Sequence, residues 1–87
     1  MFSVVLSRTA ANKLRKMDRG VAFRLLKRLK RLAEQMPEAS LEPLKGDWKG
    51  SYKLRVGDYR IIFQVDWENQ QIVVEDIDHR SRIYKRR

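Results

Sequence analysis

The sequence has no cysteine, a single histidine (His79), two prolines and no long apolar run. Without cysteine there are no disulfides and no thiolate metal sites. With one histidine, a zinc site would draw most of its ligands from carboxylates, so neither metal nor cofactor is expected. No apolar stretch approaches the 18 or so residues of a membrane span. The opening MFSVVLSRTAANKLRKM turns basic after a short apolar run, the reverse of a secretory signal. The expected compartment is the cytoplasm, with no membrane partner. Acid is scarce as well: 11 Asp plus Glu stand against 20 Lys plus Arg, for a net charge of +9. A field of that sign favours polyanions, whether nucleic acid, an acidic membrane surface or an acidic protein. The plainer reading is a solubilising surface.

Eighty-seven residues make one domain, 1–87. A chain this short buries about 60–65% of the surface it exposes unfolded. That allows one sheet and one helix layer, and an active site would be a surface groove. The charge is uneven. Residues 1–31 carry ten basic residues and one acid, Asp18, whereas 32–50 are mildly acidic through Glu34, Glu38, Glu42 and Asp47. The ending HRSRIYKRR has no acid at all.

Residues 2–6 are short, apolar and partly β-branched, and read as a strand. Ser7 suits a helix N-cap, and Ala10, Leu14 and Met17 follow at helical spacing over 8–17. Asp18-Arg19-Gly20 reads as a break. Apolar residues then fall at 22, 25, 26, 29, 32, 33 and 36, one face of a second helix that Pro37 ends. Its other face carries Arg24, Lys27, Arg28, Lys30 and Arg31. Residues 37–50 read as a long loop. From Tyr52 the period becomes two, through a strand over 52–56, a Gly57-Asp58 turn and a strand over 59–65. A turn around 68–70 leads to a last strand over 72–77. In IVVEDIDHR apolar residues occupy both parities, as a bulge or burial on both faces would produce. The expected fold is α+β, β-α-α-β-β-β, a twisted, mainly antiparallel sheet with two helices packed on one face.

A turn at Gly57-Asp58 pairs Val56 with Tyr59, Arg55 with Arg60, Leu54 with Ile61 and Lys53 with Ile62. Paired residues in an antiparallel ladder share a face. Tyr52, Leu54, Val56, Tyr59, Ile61 and Phe63 then form the face under the helices. Lys53, Arg55 and Arg60 lie together on the other, with no acid interleaved. Like charges set opposite each other destabilise a sheet, so the cluster points to anion binding. A solvated outer face is the alternative.

The sequence resembles the RelE branch of the RelE/ParE toxins of toxin–antitoxin modules. The resemblance covers nearly the whole chain. It is carried by Leu44-Lys45-Gly46, by the run YKLRVGDYRIIF from Tyr52 to Phe63, and by His79-Arg80-Ser81-Arg82-Ile83-Tyr84. It implies a compact α+β toxin that enters the A site of the 70S ribosome and cleaves mRNA there without a metal, inhibiting translation. It also implies a cognate antitoxin that wraps the toxin, and a complex that binds operator DNA through the antitoxin. By position, Lys53, Arg55, Arg60, Arg80 and Tyr84 fall on the family's catalytic set, and Lys45 on a further basic position. Arg55 stands where the best-known members have lysine. The segment between Arg80 and Tyr84 is about two residues shorter than in some members.

The implied reaction is attack of a ribose 2′-OH on the adjacent phosphate, leaving a 2′,3′-cyclic phosphate. It needs a proton acceptor, stabilisation of added negative charge and a proton donor. Lys53 or Tyr84 could accept the proton, and sequence does not choose between them. Arg55 and Arg60 can fork to phosphate oxygens. Arg80 would neutralise the leaving oxygen. His79 is read as an RNA contact, since a lone histidine at a strand end is more often structural or exposed than catalytic. Arg24, Lys27, Arg28, Lys30 and Arg31 are read as contacts to ribosomal RNA, the plainer alternative being a solvated helix face. Glu75, Asp76 and Asp78 do not suggest a metal cluster, because adjacent strand residues point to opposite faces. Two other functions compete: a ParE-like inhibitor of DNA gyrase, and a basic nucleic-acid-binding module without chemistry.

Overall fold

A computed structural model describes residues 1–85; Arg86 and Arg87, counted in the basic ending, lie outside them. The chain runs β1 (Ser3–Leu6), α1 (Arg8–Lys16), α2 (Arg19–Gln35), β2 (Glu42–Pro43), a single 3-10 turn (Gly46–Trp48), β3 (Tyr52–Val56), β4 (Tyr59–Asp66) and β5 (Gln71–His79). The expected order holds with one addition, since the loop assigned to 37–50 contains β2. Pro43 masks that strand, because proline lacks a ladder donor and is tolerated only at edges. In the sheet order β1-β5-β4-β3-β2, β2 is an edge. β1 pairs with β5 in parallel and all other pairings are antiparallel.

Each helix begins on a side-chain cap. Ser7 Oγ accepts from the Ala10 N–H at 3.0 Å and donates to the Glu75 carbonyl at 2.7 Å, so one hydroxyl starts α1 and ties it to β5. Asp18 Oδ2 accepts from the N–H groups of Gly20 and Val21. Ala10 and Leu14 of α1 and Leu25, Leu29, Leu32 and Ala33 of α2 pack in one core with Ile61, Phe63, Ile72, Val74 and Ile77. Both helices therefore cover one face of the sheet. Leu26, expected on the buried stripe, lies at its margin and is exposed beside Phe23. Arg28, expected on the solvated face, is half-buried with its Nη1 atom fully covered.

The hairpin has the expected register, Val56 against Tyr59 through Lys53 against Ile62. Gly57 has φ 58°, the left-handed conformation that lets a two-residue turn begin on glycine. The mixed parity of β5 comes from a bulge. Ile62 pairs with Asp76 but Phe63 pairs with Val74, which leaves Glu75 as the extra residue. The bulge moves the inward face from even to odd positions, so Ile72, Val74 and Ile77 all reach the same core.

β1 covers β5 only from Gln71 to Val74. Beyond that, Asp76 Oδ1 accepts from the Ile77 N–H and Asp78 Oδ1 from the His79 N–H, each at 2.8 Å. Lys13 of α1 closes this stretch of edge, with Nζ at 2.7 Å from Asp76 and 3.1 Å from Asp78. Among the described residues no helix is long and apolar enough to cross a membrane.

Ser7→Ala removes both the cap acceptor and the donor to β5. It should lower unfolding stability by about 1–2 kcal/mol, read from a urea denaturation curve. An unchanged curve would show that neither bond contributes.

Candidate active site on the outer face of the hairpin

Lys53, Arg55 and Arg60 lie on the face that the helices do not cover, as the register requires. Ile62 shares that face and is fully buried, although it is not part of the helix-side core. The segment after β5 folds back toward this face. The Arg80 N–H donates to the Asp58 carbonyl at 2.8 Å, and the N–H groups of Arg82 and Ile83 donate to the His79 carbonyl. These bonds fold the chain back over the sheet. Ile83 is fully buried there, and the Tyr84 ring comes to rest with its centroid 6.0 Å from Lys53 Nζ. The turn after β5, with Ile83 buried in it, thus carries Tyr84 to Lys53.

The cations differ in what neutralises them. Lys53 Nζ and Arg55 Nη2 each lie 3.2 Å from the same oxygen, Glu42 Oε2. Glu42 of β2 is the cross-strand partner of Lys53, so the two side chains share a face. The expectation that no acid enters the cationic cluster is therefore corrected: the acid arrives from a third strand. The hydrogen bond from Lys53 and the charge of Arg55 hold the Glu42 carboxyl below the usual glutamate range. Arg80 has a looser partner, with Nε 3.8 Å from Asp58 Oδ1.

Arg60 has no carboxylate within ion-pair distance among the described residues. Its Nη1 donates to the carbonyls of Gly57 and Tyr59 at 2.9 and 2.8 Å. Backbone geometry thus aims the guanidinium and leaves its charge uncompensated. Asp78 is its cross-strand partner but is engaged elsewhere, by Lys13, Arg82 and the His79 N–H. Burial pushes Asp78 up, and the bonds from His79, Lys13 and Arg82 outweigh it, so the carboxyl sits below the usual aspartate range.

The remaining expected residues are dispersed. Lys45 is exposed in the loop just after β2. His79 Nδ1 accepts from the Ser81 N–H at 3.2 Å and lies 2.8 Å from Ser81 Oγ, with the ring edge-on to Tyr59. Arg24, Lys27, Arg28, Lys30 and Arg31 belong to α2, so the sheet separates them from Lys53, Arg55 and Arg60. Beside them α2 exposes Phe23 and Leu26, with Lys27 Nζ 6.0 Å from the Phe23 ring centroid. Glu75 and Asp76 turn apart, Glu75 to the Ser51 hydroxyl and Asp76 to Lys13. Among the described residues no three histidine, aspartate or glutamate side chains are grouped to hold a metal ion.

Two participants escaped the sequence reading. Glu42 carried no signal beyond its place before Pro43. Ile83 had one: Ile62, an apolar residue at a polar-face position, requires a cover.

The chain matches the family described as ParE toxin of type II toxin-antitoxin system, parDE, over residues 4–84. It is 36% identical over 45 residues to toxin RelG of Mycobacterium tuberculosis, a match spanning 52% of this chain and 52% of RelG. It is 25% identical over 84 residues to toxin RelE of the same organism, covering 97% of this chain and 87% of RelE. Among solved structures, a chain of the RelBE2 toxin–antitoxin complex from M. tuberculosis superposes with a TM-score of 0.79 at 23% identity, over 90% of this chain and 96% of that one.

Because the Asp78 carboxyl is depressed, its contribution to stability is complete above the ordinary aspartate pKa and is lost as pH falls through the depressed value. A 13C carboxyl titration by NMR should place its midpoint below the ordinary range, and Lys13→Met should move it upward. An unmoved midpoint in that variant would remove Lys13 as a cause.

Proposed function

The chain belongs to the ParE toxin family of type II toxin–antitoxin systems, in the RelE/ParE superfamily, and from that premise we propose that it is a metal-independent endoribonuclease that cleaves mRNA in the A site of the ribosome. The observation that carries the proposal is Arg60, a guanidinium held by two backbone carbonyls and lacking a carboxylate partner among the described residues. It lies on one face with Lys53 and Arg55, and Tyr84 comes to Lys53 on that face. Such a group is pre-organised for charge that develops on a phosphate, which is where electrostatic catalysis is strongest.

In the proposed reaction the ribose 2′-oxygen forms a bond to phosphorus and the bond from phosphorus to the 5′-oxygen breaks. The products are a 2′,3′-cyclic phosphate and a 5′-hydroxyl. The 2′-OH proton passes to Lys53 as the free amine or to Tyr84 as the phenolate, two groups that meet on this face. Arg55 and Arg60 bind the non-bridging oxygens, bidentate where geometry permits. Arg80, at the hairpin end beside Asp58, neutralises the leaving 5′-oxygen, which takes its proton from solvent water to give the 5′-hydroxyl. Lys45, His79 and the α2 cations contact RNA outside the reacting phosphate.

The domain 1–87 works with a cognate antitoxin. Its structural relative in the RelBE2 complex supports that partner, and so does the exposed Phe23–Leu26 surface with its basic flank. The antitoxin holds the toxin inactive, and the complex binds operator DNA through it. The family description names ParE, so gyrase inhibition is the second reading; the uncompensated Arg60 beside Lys53 and Arg55 favours RNA.

Arg60→Ala should lower ribosome-dependent mRNA cleavage at least about 100-fold, measured by primer extension in a translation reaction, with the fold checked by circular dichroism. Cleavage within a few-fold of the parent chain would remove Arg60 from the chemistry. No cleavage by the parent chain, together with relaxed plasmid in cells that make it, would move the assignment to gyrase.

A further inference from the structure

Glu42 enters the cationic face from outside the hairpin. β2 is two residues long, and its pairing sets Glu42 beside Lys53. One oxygen, Oε2, meets both Lys53 Nζ and Arg55 Nη2 at 3.2 Å. A carboxylate oxygen and a phosphate oxygen ask the same of these donors: negative charge and lone pairs at hydrogen-bond distance. The position that Oε2 fills is therefore one that a phosphodiester must take to be bound by Lys53 and Arg55 together.

We propose that Glu42 is an internal competitor for RNA phosphate, a specificity-determining residue that excludes loosely held RNA and yields to RNA fixed in place by other contacts. The proposal deepens the RNA-cleaving reading and rests on it. The energetics follow from exposure. The Glu42 side chain is 48% exposed and that of Arg55 60%, so this pair is weak and exchangeable, while Lys53, 21% exposed, holds the same carboxylate more firmly. An incoming phosphate exchanges one anion for another and gains only the difference. Free RNA, with few other contacts, gains little. RNA positioned by a larger assembly has its orientation already fixed and needs no such gain. One carboxylate then adds a local contribution to dependence on the ribosome.

The loop does not need that carboxylate to hold its shape. The Leu44 N–H donates to the Ser51 carbonyl at 2.9 Å, and the β2–β3 pairing is between backbones. Ser51 is itself buried and bonded to Glu75. Removing the charge of Glu42 should leave the fold in place.

The test is the affinity of the full chain for a single-stranded 2′-O-methyl RNA oligonucleotide, which cannot be cleaved, measured by fluorescence anisotropy near 0.1 M salt. Glu42→Gln should bind about five-fold more tightly, the scale of one unit charge acting across a few ångströms in a water-like medium. Glu68→Gln makes the same change in net charge in the turn at the far end of β4 and should change affinity less than two-fold. The pair Lys53→Met and Arg55→Met should weaken binding and abolish the effect of Glu42→Gln. If Glu42→Gln binds no more tightly than Glu68→Gln while the Lys53/Arg55 pair still weakens binding, the competitor is overturned and the phosphate site stands. If the pair does not weaken binding, the phosphate site and the competitor both fail. Loss of ribosome-dependent cleavage by Glu42→Gln at unchanged affinity overturns the competitor too, and would make Glu42 the acceptor of the 2′-OH proton.

Discussion

The register of the β3–β4 hairpin is the constraint on which core and site both depend. Side chains alternate between faces of a strand, so a one-residue slip would exchange the faces completely. Ile61 and Phe63 would leave the helix-side core, and the cations would enter it. The Gly57–Asp58 turn prevents this by fixing which residues pair, and glycine's access to positive φ makes so short a turn possible. One backbone decision therefore places the apolar residues under the helices and the basic residues on the open side.

A second constraint acts on β4, the middle strand of five. It is buried on both faces but by different means. Ile61 and Phe63 lie in the helix-side core, while Ile62 is buried on the other face, to which the turn after β5 brings Tyr84. The outer face is thus half cover and half site. Tyr84 belongs to the turn after β5 and Lys53 to the sheet, and they meet because backbone bonds to Asp58 and His79 fold that turn back. The same economy governs the exposed end of β5, where Asp76 and Asp78 satisfy backbone donors and also recruit Lys13 from α1. By engaging Asp78 there, the fold keeps it from neutralising Arg60.

What could be seen in advance follows the range of the interactions. Both helices, the hairpin and its register were legible, because Ser7, Asp18, Gly57 and the alternation around them act within a few residues. The disturbance in β5 was legible only as a disturbance. Mixed parity is the mark of a bulge, but nothing local selects Glu75 as the extra residue, since its place is set by pairing to β4. Glu42 was illegible for a plainer reason. Two residues give no periodicity, and Pro43 argues against a strand unless the sheet is already known to end there. The shared face of Lys53, Arg55 and Arg60 was therefore legible from the residues that build it, and its counter-ion only from the fold. The family resemblance agrees with the family match over residues 4–84.

The parallel pairing of β1 with β5 has a consequence for how the toxin comes into being. Ser3–Leu6 finds its partner in Gln71–Val74, near the opposite end of the chain. During synthesis the first strand waits for the last, and the helices that follow it rest on an unfinished floor until then. Contacts so far apart in sequence are the slow ones to form. A nascent or prematurely ended chain can carry every cation of the hairpin and still lack the frame that aligns them and the cover that brings Tyr84. The fold therefore holds back its assembled cationic face until β5 has been made.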